Sequence, residues 1–185
     1  TSIDRLKARP ALAIPVGAAL QAWANARRSL TKDGYADAFS KRLIAIARAI
    51  DPEPLRDWLR SNWGKSVSAN ELRRVVETLD LHAHHPSTLR TFASRLLIAK
   101  DRDAAIKLLR DVQFVYPEDF WTNFELGHHL ADQEDYQGAI RFYTAAVSIR
   151  PNASAALTNL GLALEKQGKL QEAIAAYRRA IAMEK

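Results

Sequence analysis

The C-terminal half of the chain repeats one arrangement of apolar, small and polar positions every 34 residues. Setting FWTNFELGHHLADQEDYQGAIRFYTAAVSIRP (120–151) above SAALTNLGLALEKQGKLQEAIAAYRRAIAMEK (154–185) aligns Leu126 with Leu160, Gly127 with Gly161, Gln133 with Gln167, Ala139 with Ala173, Ile140 with Ile174, Tyr143 with Tyr177 and Ala146 with Ala180. One step back, PSTLRTFASRLLIAKDRDAAIKLLRDVQFVYP (86–117) carries Phe92-Ala93 in place of Leu-Gly, keeps the Ala-Ile pair as Ala105-Ile106, and anticipates Pro151 with Pro117. Apolar residues return at helical spacing within each unit, which predicts two antiparallel helices per unit. Small residues at Gly127, Ala139 and Ala146 let the two helices approach closely, while Leu126, Leu130, Ile140 and Tyr143 fill the seam. Pro151 marks the break after the second helix, because proline lacks the backbone donor and its ring clashes inside a helix.

The N-terminal half continues the rhythm with weaker matches. DPEPLRDWLRSNWG places Leu55, Trp58 and Leu59 on one helix opened by Pro52 and Pro54, and SANELRRVVETLDL places Leu72, Val75, Val76 and Leu79 on the next. Ser68 and Glu71 have the spacing of a capping box. Residues 12–31 and 35–50 form a further predicted hairpin, with Asp33-Gly34 as its turn and Phe39, Leu43, Ile46 and Ile50 as its apolar stripe. The predicted fold is all-α. Three regular repeats (86–119, 120–153 and 154–185) follow an irregular region (1–85) of two degenerate hairpins.

Pointing away from the seam, residues of the first helix of each repeat define a second stripe. At about 100° per residue, Trp121, Phe124, His128 and Asp132 fall along one side of the first helix of the 120–153 repeat. Arg90 and Ser94 precede them in the first repeat, and Thr158, Asn159, Leu162 and Lys166 follow in the third. These ten residues are the candidate partner-binding set.

Glu125, His129 and Asp132 stand at i, i+4 and i+7 on the same helix, a spacing that imitates a metal site. The next repeat has Asn159 and Ala163 at the places of Glu125 and His129, so the fold requires neither and no metal ligand set is assigned. DLHAHHP (80–86) gathers three histidines where two hairpins meet and is read as a polar junction. No serine–histidine–aspartate pattern, phosphate-binding glycine loop or zinc-protease signature is present, so no catalytic residue and no cofactor are expected.

Composition adds to this picture in two ways. The 48% hydrophobic and 26% charged residues, with frequent alanine, describe a folded helical chain, and the absence of cysteine excludes disulfides and thiolate chemistry. The net charge of +6 is entirely N-terminal: residues 1–50 carry nine Lys/Arg against three Asp/Glu, and the remainder sums to zero. Arg5, Lys7 and Arg9 precede the apolar run ALAIPVGAAL (11–20), and Arg27 and Arg28 follow it. The run is too short to cross a bilayer, which takes about 20 apolar residues. It imitates a signal peptide, but Pro15 interrupts it, and a buried first helix is expected. The five basic residues are a candidate contact for an anionic membrane surface, giving a cytoplasmic protein with a peripheral membrane face. Nucleic acid is not an expected partner, because no aromatic–basic platform accompanies the basic segment.

From Pro86 to its end the chain resembles the tetratricopeptide repeat (TPR) family. That resemblance implies a right-handed superhelical stack and a non-enzymatic adaptor binding a protein on its concave helix faces. Asn159 and Lys166 match the clamp with which some members hold acidic peptide ends, whereas Phe124 stands where that clamp uses a base. DPEPLRDWLR, YPEDFWTNFELG and IRFYTAAVSIRPNASAALTNLGLALEKQGKLQEAIAAYRRAI are similar to the TPR arm of certain bacterial serine/threonine kinases, although the kinase glycine loop, lysine strand and catalytic aspartate loop are absent. In architecture, size and charge the chain also resembles bacterial kinesin-light-chain-like TPR proteins, which implies binding to bacterial tubulin-like filaments and to lipid. Many TPR arrays end in a capping helix. Here the sequence stops with the third repeat, so Leu164, Ala173, Ile174 and Tyr177 are expected to present an apolar end for self-association.

Overall fold

The computed structural model describes residues 2–30, 34–62 and 65–183, with the backbone alone for residues 10, 25, 28–30 and 34–37. The predicted Asp33-Gly34 turn and the side chain of Arg28 lie outside the described residues. Among the described residues, every regular element is helical. The chain divides into two compact units, Thr1–Ser66 and Val67–Lys185, one helix before the boundary expected from sequence.

The first unit holds α1 (Ser2–Lys7), α2 (Pro10–Leu30), α3 (Gly34–Ile50) and α4 (Pro54–Ser61). Pro15 stays inside α2, where it removes one hydrogen bond of the helix. Ala13, Gly17 and Ala24 are buried on α2 and Leu43, Ala47 and Ile50 on α3, so the apolar run at 11–20 belongs to a packed helix pair. Ser40 donates from its hydroxyl to the Ala24 carbonyl at 3.1 Å. Ile46, expected inside, is 41% exposed because the buried stripe of α3 runs through Ser40, Leu43, Ala47 and Ile50. Ionic contacts tie α4 to the end of α3: Asp51, 4% exposed, accepts from Arg56 at 2.5 Å and also from Arg60, whose guanidinium donates to the Asp51 carbonyl at 2.8 Å. These bonds hold α4 to the end of α3 within the first unit.

The second unit begins with α5 (Ala69–Glu77), whose Ser68 cap accepts from the Glu71 backbone, and a 3-10 turn at Leu81–Ala83. Three antiparallel pairs follow: α6 (Pro86–Ile98) with α7 (Arg102–Val115), α8 (Phe120–Ala131) with α9 (Tyr136–Ile149), and α10 (Ser154–Lys166) with α11 (Leu170–Ala182). The spacing of the pairs is enforced by size. A Cβ on Gly127 would stand 2.7 Å from the Tyr143 ring and one on Gly161 2.6 Å from the Tyr177 ring, so each tyrosine lies flat against a helix with no side chain to displace. Each turn within a pair uses one left-handed residue, again at intervals of 34: Lys100 (φ 62°), Glu134 (φ 61°) and Gly168 (φ 76°).

The histidine-rich junction is structural. His85 caps α6 by accepting from the Ser87 amide, and the Tyr116 hydroxyl donates among the Leu81, His82 and His84 carbonyls at 2.8–3.3 Å. At the other end, the apolar surface differs from the expected one. Leu164 (5% exposed) and Ala173 (2%) are buried between α10 and α11, while Ile174 (42%) is joined on the outside by Leu170 and Ile181.

Candidate functional site

Trp121, Phe124, His128 and Asp132 share one side of α8, as helical spacing predicted. The first turn of α8 also carries Phe120, and the three rings form a cluster: Phe120 stacks on Phe124 (centroids 5.8 Å, 20°), and Trp121 meets both edge-on at 5.0 and 6.0 Å. Phe124 in turn touches the Tyr143 ring at 5.8 Å. Phe120 is buried and anchors the cluster, while Trp121 remains 46% exposed. Across from them runs the loop that joins α9 to α10. Arg150 at the end of α9 lays its guanidinium over Phe120 at 4.5 Å and Trp121 at 5.7 Å, and Asn152, Ala153, Ser154 and Ala155 complete the wall. The result is an open groove of about 450 Å³ with an aromatic floor and one cationic edge.

The sequence profile of the tetratricopeptide repeat family matches residues 91–154 and 124–184, overlapping stretches that together span just over half of the chain. The chain belongs to the tetratricopeptide repeat family. Its TPR repeats build a protein–protein interaction scaffold. Solved structures of MamA are similar in fold: one has a TM-score of 0.61 at 19% identity, covering 91% of this chain and 92% of that one. A second has a TM-score of 0.61 at 21% identity with 80% and 88% covered, and a MamA point mutant has 0.59 at 17% with 92% and 96% covered. No curated protein sequence matches. The family match rests on the repeats themselves and assigns neither a kinase arm nor a kinesin-light-chain-like protein.

In the other two TPR repeats the predicted stripe residues are placed differently. Arg90 is 14% exposed and committed: it donates to Asp119 at 2.7 Å and to Glu125 at 3.2 Å, clasping the first repeat to the second. Sequence reasoning offered Arg90 to a partner, but the structure gives it to the fold. Burial pushes the Glu125 carboxyl above its ordinary value, with Arg90 opposing the shift. Ser94 is exposed and donates back to the Arg90 carbonyl. On α10, Thr158, Leu162 and Lys166 are exposed, whereas Asn159 is half-buried and hydrogen-bonded to Tyr143. Burial pushes the Tyr143 hydroxyl up to about 12, so it stays protonated at neutral pH.

Glu125 does not join the histidines. The groups brought together are His128, His129 and Asp132, whose ligand-capable atoms lie within 4.8 Å of one another. Arg102 approaches Asp132 at 3.5 Å and His128 approaches it at 4.0 Å, so a metal held by this trio would have to draw Asp132 away from a cation. His129 is held below its usual range, first by burial and then by its neighbours His128 and Arg102, which keeps it neutral at physiological pH.

Phe120, Arg150, Asn152 and Ser154 were missed by the sequence reading because none lies on the helical stripe. A signal did exist at the 34-residue offset. Asp119 and Glu125, the acidic partners of Arg90, become Ala153 and Asn159 one repeat later, just where Arg90 itself becomes Phe124.

In the first unit, Arg5, Lys7 and Arg9 are exposed on and just after α1. Arg27 lies over the Phe39 ring at 4.9 Å. Among the described residues, no helix is long and apolar enough to cross a membrane.

Proposed function

We propose that this chain is a non-enzymatic adaptor that receives an extended segment of a partner protein in the groove of its second repeat. The observation that carries this reading is the exposed Trp121 and the adjoining Phe124 beside an open, loop-walled groove. Aromatic side chains left accessible next to a cavity offer large, rigid contact area at low entropic cost, which is how interface anchors work. His128 and Asp132 extend the same face of α8, and Thr158, Leu162 and Lys166 provide exposed positions on the corresponding helix of the third repeat. Ser94 has the corresponding place in the first. Arg90 has no part in this surface.

The test is capture of binding proteins by the full chain and by a Trp121→Ala/Phe124→Ala/His128→Ala variant of unchanged helicity, with retained proteins identified by mass spectrometry. Partners held by the native chain and lost from the variant establish groove recognition. Equal retention of the same proteins by both, filament subunits included, would refute it and move the binding surface elsewhere.

A separate surface is proposed for anionic lipid, carried by the exposure of Arg5, Lys7 and Arg9. Charge attraction of this kind is screened within about 10 Å at 0.1 M salt. Sedimentation with phosphatidylserine vesicles should therefore be salt-sensitive and should vanish when the three are changed to glutamine. Binding that survives both changes would rule this surface out.

A further inference from the structure

We infer that the groove selects partner segments in which an acidic side chain, Asp or Glu, stands beside an aromatic or large aliphatic residue, with Arg150 as the group that reads the acid. This rests on the groove function proposed above and adds to it the chemistry of the ligand.

Four observations converge. First, the Arg150 guanidinium is oriented by its contacts with Phe120 and Trp121, so its planar fork is held in place before any ligand arrives. Second, among the described residues no hydrogen bond or ion pair engages that guanidinium, although Arg56, Arg60, Arg73 and Arg90 each hold a carboxylate. Third, the rest of the loop wall supplies no acid: Asn152, Ala153, Ser154 and Ala155 are uncharged. Fourth, Ala153 occupies the place of Asp119, whose carboxylate answers Arg90 at the preceding junction. The groove thus has a fixed cation, an aromatic floor, and no internal counter-ion among the described residues.

An arginine in this state forms charge-assisted, bidentate hydrogen bonds with a carboxylate, while the neighbouring apolar side chain of the ligand covers Trp121 and Phe124. A side chain is the expected source of the carboxylate, not a chain terminus. Exposed positions continue past the groove onto α10, where a bound segment can run on.

The test is selection of a phage-displayed random dodecapeptide library on the full chain, followed by affinity measurement of the selected peptides as synthetic, amidated molecules. Selected sequences should share an Asp or Glu within two positions of an aromatic or aliphatic residue. Changing that acid to its amide should weaken binding about tenfold, and Arg150→Gln should weaken it equally with no further loss when both are made. Ala153→Asp, which supplies an internal carboxylate, should weaken binding to a similar degree without touching the aromatic floor. If selected peptides need Trp121 and Phe124 but show no acidic preference and ignore Arg150→Gln, the inference is overturned and the groove function stands. If no selected peptide depends on Trp121 or Phe124, both fail. If the chain dimerises through the groove and Arg150→Gln abolishes that, the occupant is a second copy and the inference of a separate partner is overturned.

Discussion

The junction between the first and second repeats and the junction between the second and third use the same backbone lattice for opposite ends. At the first, Arg90 reaches forward to Asp119 and Glu125 and closes the seam with ion pairs. At the second, the equivalent positions hold Phe124, Ala153 and Asn159, no ion pair forms among them, and an aromatic groove opens. Three substitutions in register replace a clasp with an open groove. The comparison teaches that a repeat protein can open a groove by leaving out a junction's internal ion-pair partners, because the fold continues through the helix pairs on either side.

The largest expected effect comes from breaking the clasp. Arg90→Ala leaves two partly buried carboxylates facing each other without a cation and should cost roughly 2–3 kcal/mol, somewhat less than a fully buried pair because Asp119 and Glu125 keep some exposure. Urea unfolding measures it. Arg90→Phe combined with Asp119→Ala and Glu125→Asn copies the second junction into the first and should recover much of the loss. If the triple variant is no more stable than Arg90→Ala, the two junctions are not interchangeable. The recovery should stay incomplete by about 1 kcal/mol, because Asp119 also caps α8 through the Thr122 amide.

The second effect concerns the seam within a repeat. The first repeat pairs Ala93 with Leu109 where the others pair Gly127 with Tyr143 and Gly161 with Tyr177: a larger residue on one helix is matched by a smaller one on the other. Gly127→Ala forces a methyl group into the Tyr143 ring and should cost about 1–3 kcal/mol. Adding Tyr143→Leu should relieve the clash, so that thermal melts of the two single variants and the double give a favourable coupling. Additive losses would mean that the seam is not set by this pair.

A smaller effect of opposite sign is expected at the second junction. Neither α10 nor α11 has a side-chain cap, whereas α7, α8 and α9 are capped by Asp101, Asp119 and Asp135. Ala153→Asp should cap α10 and raise stability by about 1 kcal/mol while reducing peptide binding. A gain in melting temperature with undiminished binding would separate the cap from the groove.

The smallest effect is a pH dependence confined to the second repeat and its junction with the first. Burial raises the Glu125 carboxyl above its ordinary 4.5, so the folded chain keeps a proton that the unfolded chain releases. Stability should fall as pH rises from about that value through the raised one, then level off, and Glu125→Gln should remove the slope. The buried His129 has the opposite sign. Its folded value lies below the ordinary 6.5, so stability is complete above that pH and is lost as pH falls toward the lowered value. Denaturation curves collected from about pH 4 to pH 8, on the native chain and on Glu125→Gln and His129→Gln, separate the two.

The all-helical fold and the three regular repeats were legible in the sequence because a 34-residue spacing of small and apolar residues admits one way of burying them. Gly127 and Tyr143 had to meet across a helix pair, and Trp121, Phe124, His128 and Asp132 had to share a side of α8, since both follow from the pitch of a helix. What joins one helix pair to the next was decided by tertiary structure. Periodicity gives the direction in which Arg90 points, but its carboxylate partners stand 29 and 35 residues away, and only packing brings them within hydrogen-bonding reach. Glu125 left its apparent metal set for the same reason. Arg150 entered the groove because the loop after α9 folds back over Phe120, a loop conformation that helical spacing does not determine. The sequence by itself determined the repeats and their faces. The fold decided which of those faces were already taken, because ion pairs and ring contacts between repeats depend on distances that no period along the chain encodes.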